Sequence, residues 1–212
     1  MAQGLFITFE GGEGAGKSTQ VRRLAERLRA AGHQVVTTRE PGGSPGAEAI
    51  RDLLVNGDAD RWSPLTEALL MNAARRDHVE RVIAPALERG AVVLCDRFAD
   101  STRAYQGAGG GVDPGFLRAL EAAVVGETRP DLTLILDLPV AEGLGRAAGR
   151  GGGEARFEAK GLAFHERLRA AYLDIARAEP ARCAVIAADV TPDEAEQAVW
   201  AAVAPRLEHA DG

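Results

Sequence analysis

The sequence predicts an α/β protein of three layers, α/β/α, built on a five-stranded parallel sheet. Three observations carry that expectation. Short apolar, β-favouring runs alternate with amphipathic helical stretches along the whole chain. The first run is followed at once by a glycine-rich loop and then a helix. Polar residues sit where the runs end, at Glu10-Gly11, Arg39-Glu40, Asp96-Arg97 and Asp137. Ligands of parallel sheets bind beyond the carboxyl ends of the strands, so four such ends point to one functional face.

Taken in order, Leu5 to Phe9 is the first strand. From Lys17, Val21, Leu24, Ala25 and Leu28 recur at helical spacing, and Gly32 is the stop. Gln34 to Thr38 is the second strand, ending in the turn Arg39-Glu40-Pro41-Gly42-Gly43. Helices follow over 45–56 and 64–89; Ser63-Pro64 supplies a cap and first turn, and Pro85 predicts a kink. Ala91 to Cys95 is the third strand. A helix over 99–106, a glycine-rich turn at 107–111 and a helix from Asp113 to Val124 come next. Leu132 to Leu136 is the fourth strand. A helix from residue 140 leads into Gly149-Arg150-Gly151-Gly152-Gly153, whose composition predicts a flexible segment. A long helix over 156–178, a strand at 183–187 and a final helix from Pro192 complete the pattern. Without a linker-like stretch or a repeat, residues 1–212 read as one domain, with a small lid at 141–158.

Composition narrows the function. Of 212 residues, 46% are hydrophobic and 26% charged, which predicts a soluble folded chain. A formal charge of −6 argues against a broadly basic nucleic-acid or membrane surface. The apolar runs fall short of the roughly 18–20 residues of a membrane span. The first residues carry no basic stretch of the secretory type, so the expected location is cytoplasmic. Cys95 and Cys183 stand apart and read as reduced thiols rather than zinc ligands or a disulfide. His33, His78, His165 and His209 are dispersed, away from the strand ends, and read as structural, as do Trp62 and Trp200.

Lysine is nearly absent. Of 25 cationic residues only Lys17 and Lys160 are lysines, and Lys17 lies in Gly11-Gly12-Glu13-Gly14-Ala15-Gly16-Lys17-Ser18, a G-x-x-x-x-G-K-[ST] loop between a strand and a helix. Backbone N–H groups from Gly11 to Thr19 and the helix's positive end suit phosphate oxygens. Lys17 brings a compact mobile charge and Ser18 a hydroxyl ligand for Mg²⁺. The loop predicts a nucleoside triphosphate site on a P-loop NTPase fold. An N-K-x-D guanine-reading motif and an L-S-G-G-Q-like signature are both missing, which leaves a small-molecule or nucleotide kinase or another ATPase.

The stretches Phe9 to Gln20, Arg39-Glu40-Pro41-Gly42-Gly43, Asp96-Arg97-Phe98 and Ser101-Thr102-Arg103-Ala104-Tyr105-Gln106-Gly107, with the segment 146–158, resemble the thymidylate kinase family in order and spacing. The resemblance implies transfer of a phosphoryl group from ATP to dTMP with Mg²⁺, by a homodimer. It implies that Glu13 approaches the deoxyribose 3′-OH. Arg97 would hold the dTMP phosphate, helped by Arg39 and Arg51, and Arg75 and Thr102 would read the thymine edge. Tyr105 would lie where a 2′-OH projects, and Gln106 would be a further contact. Asp96 would orient Arg97 or hydrated magnesium. Some members carry an arginine inside the phosphate loop; here Gly14 and Ala15 occupy that place, so the resemblance moves the role to Arg146, Arg150 and Arg156 in the lid. Met71 stands where a phenylalanine often stacks on thymine, and Ala155 replaces an acidic residue before Arg156. Two other readings remain: a different nucleoside or nucleotide kinase, and a regulatory module that binds ATP without transferring phosphate.

Overall fold

The computed structural model describes residues 4–58, 61–148 and 160–210, the last three without their side chains. Five strands, β1 (Leu5–Gly11), β2 (Val35–Arg39), β3 (Val92–Asp96), β4 (Leu132–Asp137) and β5 (Cys183–Ala187), form one sheet in the order β2-β3-β1-β4-β5. All its pairings are parallel. The helices described are α1 (Lys17–Ala30), α2 (Pro45–Val55), α3 (Pro64–His78), α4 (Ala84–Glu88), α5 (Ala99–Thr102), α6 (Pro114–Val125), α7 (Val140–Ala148), α8 (Leu162–Ala178) and α9 (Pro192–Ala210).

The two-residue period of a strand sorts β1 between the outer layers. Leu5, Ile7 and Phe9 pack with Val21, Leu24 and Leu28 of α1 and Val199 and Val203 of α9. Phe6 faces the other way, onto Val79, Ile83 and Phe98. A third cluster joins Ile135 of β4 to Tyr105 and to Phe164, Leu168 and Tyr172. Thr8 and Glu10 continue the Phe6 face of β1, so two polar residues enter the interior there. Thr8 Oγ1 meets Thr133 Oγ1 at 2.8 Å, and Glu10 takes partners described below. The register aligns Arg39 with Asp96, and Asp96 with Phe9, bringing the polar strand ends to one edge.

Two helices depart from expectation for local reasons. The stretch expected as one helix over 64–89 is α3, a π-helical turn at Val79–Ile83, and α4. Pro85 has no N–H to offer, and the ladder is already widened ahead of it, where the Ala84 N–H reaches back to Val79 O. The helix expected over 99–106 is the single turn α5 followed by a π-helical stretch at Arg103–Gly109, which takes in part of the glycine-rich turn expected at 107–111. Gly109 permits this close packing: a Cβ there would lie 2.5 Å from the Phe164 ring of α8. Of the helix expected over 156–178, the described part is α8. Lys160 precedes α8 rather than lying within it, with its Nζ 4.7 Å from the Phe164 ring centroid. Among the described residues no helix is long and apolar enough to cross a membrane.

Candidate active site

The phosphate loop joins β1 to α1. Lys17 is buried and folds back on the loop, its Nζ donating to Gly11 O (3.1 Å) and Gly12 O (2.8 Å). Burial pushes its pKa down and the Arg97 charge adds to this, opposed by Glu13, Asp96 and Glu10. Gly14 has φ +71°, and a Cβ on it would lie 2.1 Å from Gly143 O of α7. The loop therefore touches α7 backbone to backbone, and no side chain, an arginine included, fits at residue 14. At the start of α1, Ser18 Oγ donates to Asp96 Oδ2 at 2.7 Å.

Asp96 and Arg97 are chain neighbours with separate partners. Arg97 has φ +67°, in the left-handed region that non-glycine residues rarely adopt. This turns its side chain toward the loop, where Nη2 donates to Glu13 Oε1 at 2.7 Å and Nη1 to Gly11 O at 3.1 Å. Tyr105 OH donates to the same Glu13 oxygen at 2.6 Å, and the Arg97 guanidinium carbon lies 5.1 Å from the Tyr105 ring centroid. Burial works to raise the Glu13 carboxyl. The charges of Arg97 and Lys17, with the Tyr105 hydroxyl and His165, outweigh it and bring the pKa down to about 2. Glu13 is therefore a carboxylate at any working pH and acts only as an acceptor.

A pocket opens beside this pair, lined among others by Pro41, Met71, Arg75, Arg97, Thr102 and Gln106. Arg75 is 2% exposed. Its Nε donates to Glu40 Oε2 (2.7 Å), Nη1 to Asn72 Oδ1 (3.2 Å), and Nη2 to Phe98 O and Thr102 Oγ1 (both 3.1 Å). Four of the five guanidinium protons thus have partners among the described residues, and one on Nη1 is left for a ligand. Behind Arg75, His78 Nδ1 lies 3.1 Å from Glu40 Oε1 and His78 Nε2 lies 2.7 Å from Thr38 Oγ1. This fully buried histidine ties β2 to α3.

The other candidates are distributed as follows. Met71 is half-buried against the Tyr105 cluster and lines the pocket. Gln106 donates to Glu67 Oε2 at 3.2 Å, and Arg51 donates to Pro41 O at 2.7 Å on the pocket wall. Arg39 is not brought to Arg97. It pairs with Glu48 at 3.1 Å and lines a different groove, with Ser18 and Asp96. Arg146 donates to Ala188 O at 3.0 Å and lies 3.5 Å from Glu142. Arg150, Ala155, Arg156 and the triple glycine lie outside the described residues.

Known proteins share this chain's sequence and fold. The family model for thymidylate kinase matches residues 9–199. The chain belongs to the thymidylate kinase family. A thymidylate kinase of Caulobacter vibrioides is 71% identical over 207 residues, covering 98% of this chain and 99% of the relative. One of Bradyrhizobium diazoefficiens is 56% identical, covering 97% of this chain and 91% of the relative. The crystal structure of thymidylate kinase from Ehrlichia chaffeensis superposes with a TM-score of 0.78 at 36% identity, covering 95% and 99% of the two chains. The five-stranded parallel sheet is the sheet of this kinase fold.

Within the thymidylate kinase fold, sequence reasoning missed the residues that hold the candidates in place. Glu40 and His78 stand behind Arg75, and Glu10 and Tyr172 stand behind Arg97. Glu10 and Glu40 did carry a signal, since both sit at the carboxyl end of a strand. His78 and Tyr172 carried none, because each is a single residue on a helix face.

Proposed function

We propose that this chain transfers the γ-phosphoryl group of ATP to dTMP, giving ADP and dTDP for dTTP synthesis. The observation that carries the reading is the joining of the phosphate loop to the pocket through Glu13, which receives both Arg97 and Tyr105. The loop N–H groups and Lys17 take the ATP phosphates, and Arg97 takes the acceptor phosphate beside them. Arg75 presents one N–H to a single ring acceptor, which suits a 4-keto pyrimidine edge, with Thr102 next to it. Glu13 accepts from the deoxyribose 3′-OH. The acceptor phosphate is ionised near neutral pH, so alignment and charge neutralisation suffice without a general base.

Ser18 Oγ and Asp96 Oδ2 are hard oxygen donors of the kind Mg²⁺ prefers, and they stand together at the loop. When bound there, Mg²⁺ supplies charge neutralisation across the ATP phosphates. Arg146, with Arg150 and Arg156 of the lid, adds positive charge over the transferring group, a role that Gly14 and Ala15 do not fill. The enzyme works as a homodimer in the cytoplasm.

An ADP-coupled assay with ATP, Mg²⁺ and a panel of nucleoside monophosphates tests this reading. dTMP is expected to give the highest kcat/KM; turnover of AMP, CMP or GMP without dTMP overturns it. Tyr105→Ala is expected to lower the ratio of kcat/KM for dTMP to that for its ribo-analogue several-fold, because the ring that blocks a 2′-OH is gone. An unchanged ratio would remove Tyr105 from the sugar site.

A further inference from the structure

Glu10 is fully buried on β1, next to the phosphate loop, and has no part in the transfer described above. Its Oε1 accepts from the backbone N–H of Phe98 (2.8 Å) and of Ser101 (3.3 Å). Both lie at the start of α5, where the N-cap residue Phe98 has no side-chain oxygen to offer; the Phe98 N–H goes to Glu10, and the Ser101 N–H is shared between Glu10 and Phe98 O at 3.1 Å. A carboxyl group on the neighbouring strand therefore takes the place of the missing cap; burial and Asp100 push its pKa up to about 7, while Ser101, Arg97 and the Phe98 N–H favour its charged form.

Its other oxygen, Oε2, accepts from Ser101 Oγ (2.6 Å) and Tyr172 OH (3.2 Å), and those two hydroxyls lie 2.9 Å apart. Both hydroxyl oxygens in turn lie 3.4 Å from Arg97 Nη1, next to Gly11 O at 3.1 Å. Hydroxyl protons drawn toward Glu10 leave oxygen lone pairs facing the guanidinium. Glu10 thus acts at both ends of Arg97. It fixes the turn that follows the left-handed backbone, and it orients the oxygens that receive Nη1. Sheet register supplies the reach, since β1 pairs with β3 up to Phe9 and Asp96 and Arg97 follows directly.

We propose that Glu10 is the positioning residue of Arg97: bridging from β1, it caps the turn at α5 and aligns Ser101 and Tyr172 to aim the guanidinium at the acceptor phosphate. The inference rests on the proposed place of Arg97 at that phosphate. Glu10→Gln preserves shape but offers an NH₂ group where an acceptor of two hydroxyl protons is needed. Ser101→Ala removes one arm of the bridge and leaves the carboxylate.

The experiment measures KM for dTMP, KM for ATP and kcat in wild type, Glu10→Gln and Ser101→Ala, with folding checked by circular dichroism and thermal melting. In Glu10→Gln, KM for dTMP is expected to rise about tenfold with KM for ATP within twofold of wild type. Ser101→Ala is expected to show the same selective rise at three- to fivefold. The factor should be equal for dTMP and dUMP, because the phosphate and not the base is affected. A KM for dTMP within twofold of wild type in a folded Glu10→Gln protein, or a rise in KM for ATP that matches the rise for dTMP, overturns the proposal. Should Glu10→Gln not fold, an unchanged KM for dTMP in Ser101→Ala overturns it. If dTMP is not the acceptor, wild type itself fails on dTMP, while the variants still weaken whichever monophosphate is accepted. The two readings therefore fail separately.

Discussion

In Lys17→Ala, kcat is expected to fall on the order of 10²–10³-fold, the scale of removing one preorganised donor from a developing charge. The thermal melting temperature should change little. Lys17 Nζ holds two loop carbonyls, Gly11 O and Gly12 O, and losing those bonds is partly offset by no longer burying an ammonium. The large loss falls on the transition state, where charge accumulates on the transferring oxygens and Lys17 is the compact cation of the loop. Lys17→Arg should not restore the rate, because a planar guanidinium cannot follow those oxygens from within a buried loop. Initial rates at saturating ATP and dTMP, with melting curves alongside, check the expectation. A kcat within threefold of wild type in Lys17→Ala contradicts the assignment.

Arg97→Ala should lower kcat/KM for dTMP on the order of 10²–10³-fold, as expected when one partner of a buried, hydrogen-bonded charge pair is removed. It should also change the response of stability to acid. In the folded protein the Glu13 carboxyl titrates near 2, against an ordinary 4.5, despite the burial that works the other way. A carboxyl depressed on folding stabilises the native state above its unfolded pKa and loses that contribution as pH falls through its folded value. For Glu13 the contribution is up to about 3 kcal/mol at neutral pH, lost between about 4.5 and 2. Arg97 is the leading cause of the depression. The variant should therefore melt several degrees lower than wild type at pH 7, and the gap should narrow as pH is lowered below 4.5. Melting temperatures of both proteins from pH 7 to 3.5 test this, and a gap independent of pH contradicts it.

Much of the fold was legible because its signals are local. Five strands, the alternation with helices, the bounds of α1, α2 and α6 to within a residue or two, and the Ser63-Pro64 start of α3 follow from side-chain periodicity and local stop and cap residues. What misled was also local. Pro85 marks an irregularity, but the widening falls one turn earlier, where the Ala84 N–H selects Val79 O. The glycines after Gln106 look like a loop, yet Gly107 and Gly109 belong to a π-helical stretch packed on Leu117 and Phe164.

The site divides along the same line. The phosphate loop could be read from the residues alone, because the loop needs them contiguous, whereas Glu13, Arg75, Arg97 and Tyr105 came forward as candidates through the family resemblance. Which of them meet is set by the assembled fold. Glu13 joins Arg97 across 84 residues and Tyr105 across 92, Glu40 joins Arg75 across 35, and Arg39 turns away to Glu48. Those pairings depend on the strand order, with β1 between β3 and β4, and on the left-handed turn at Arg97. A buried charge must find its counter-charge wherever packing allows, so its partner is set by the assembled sheet and not by the residues on either side of it.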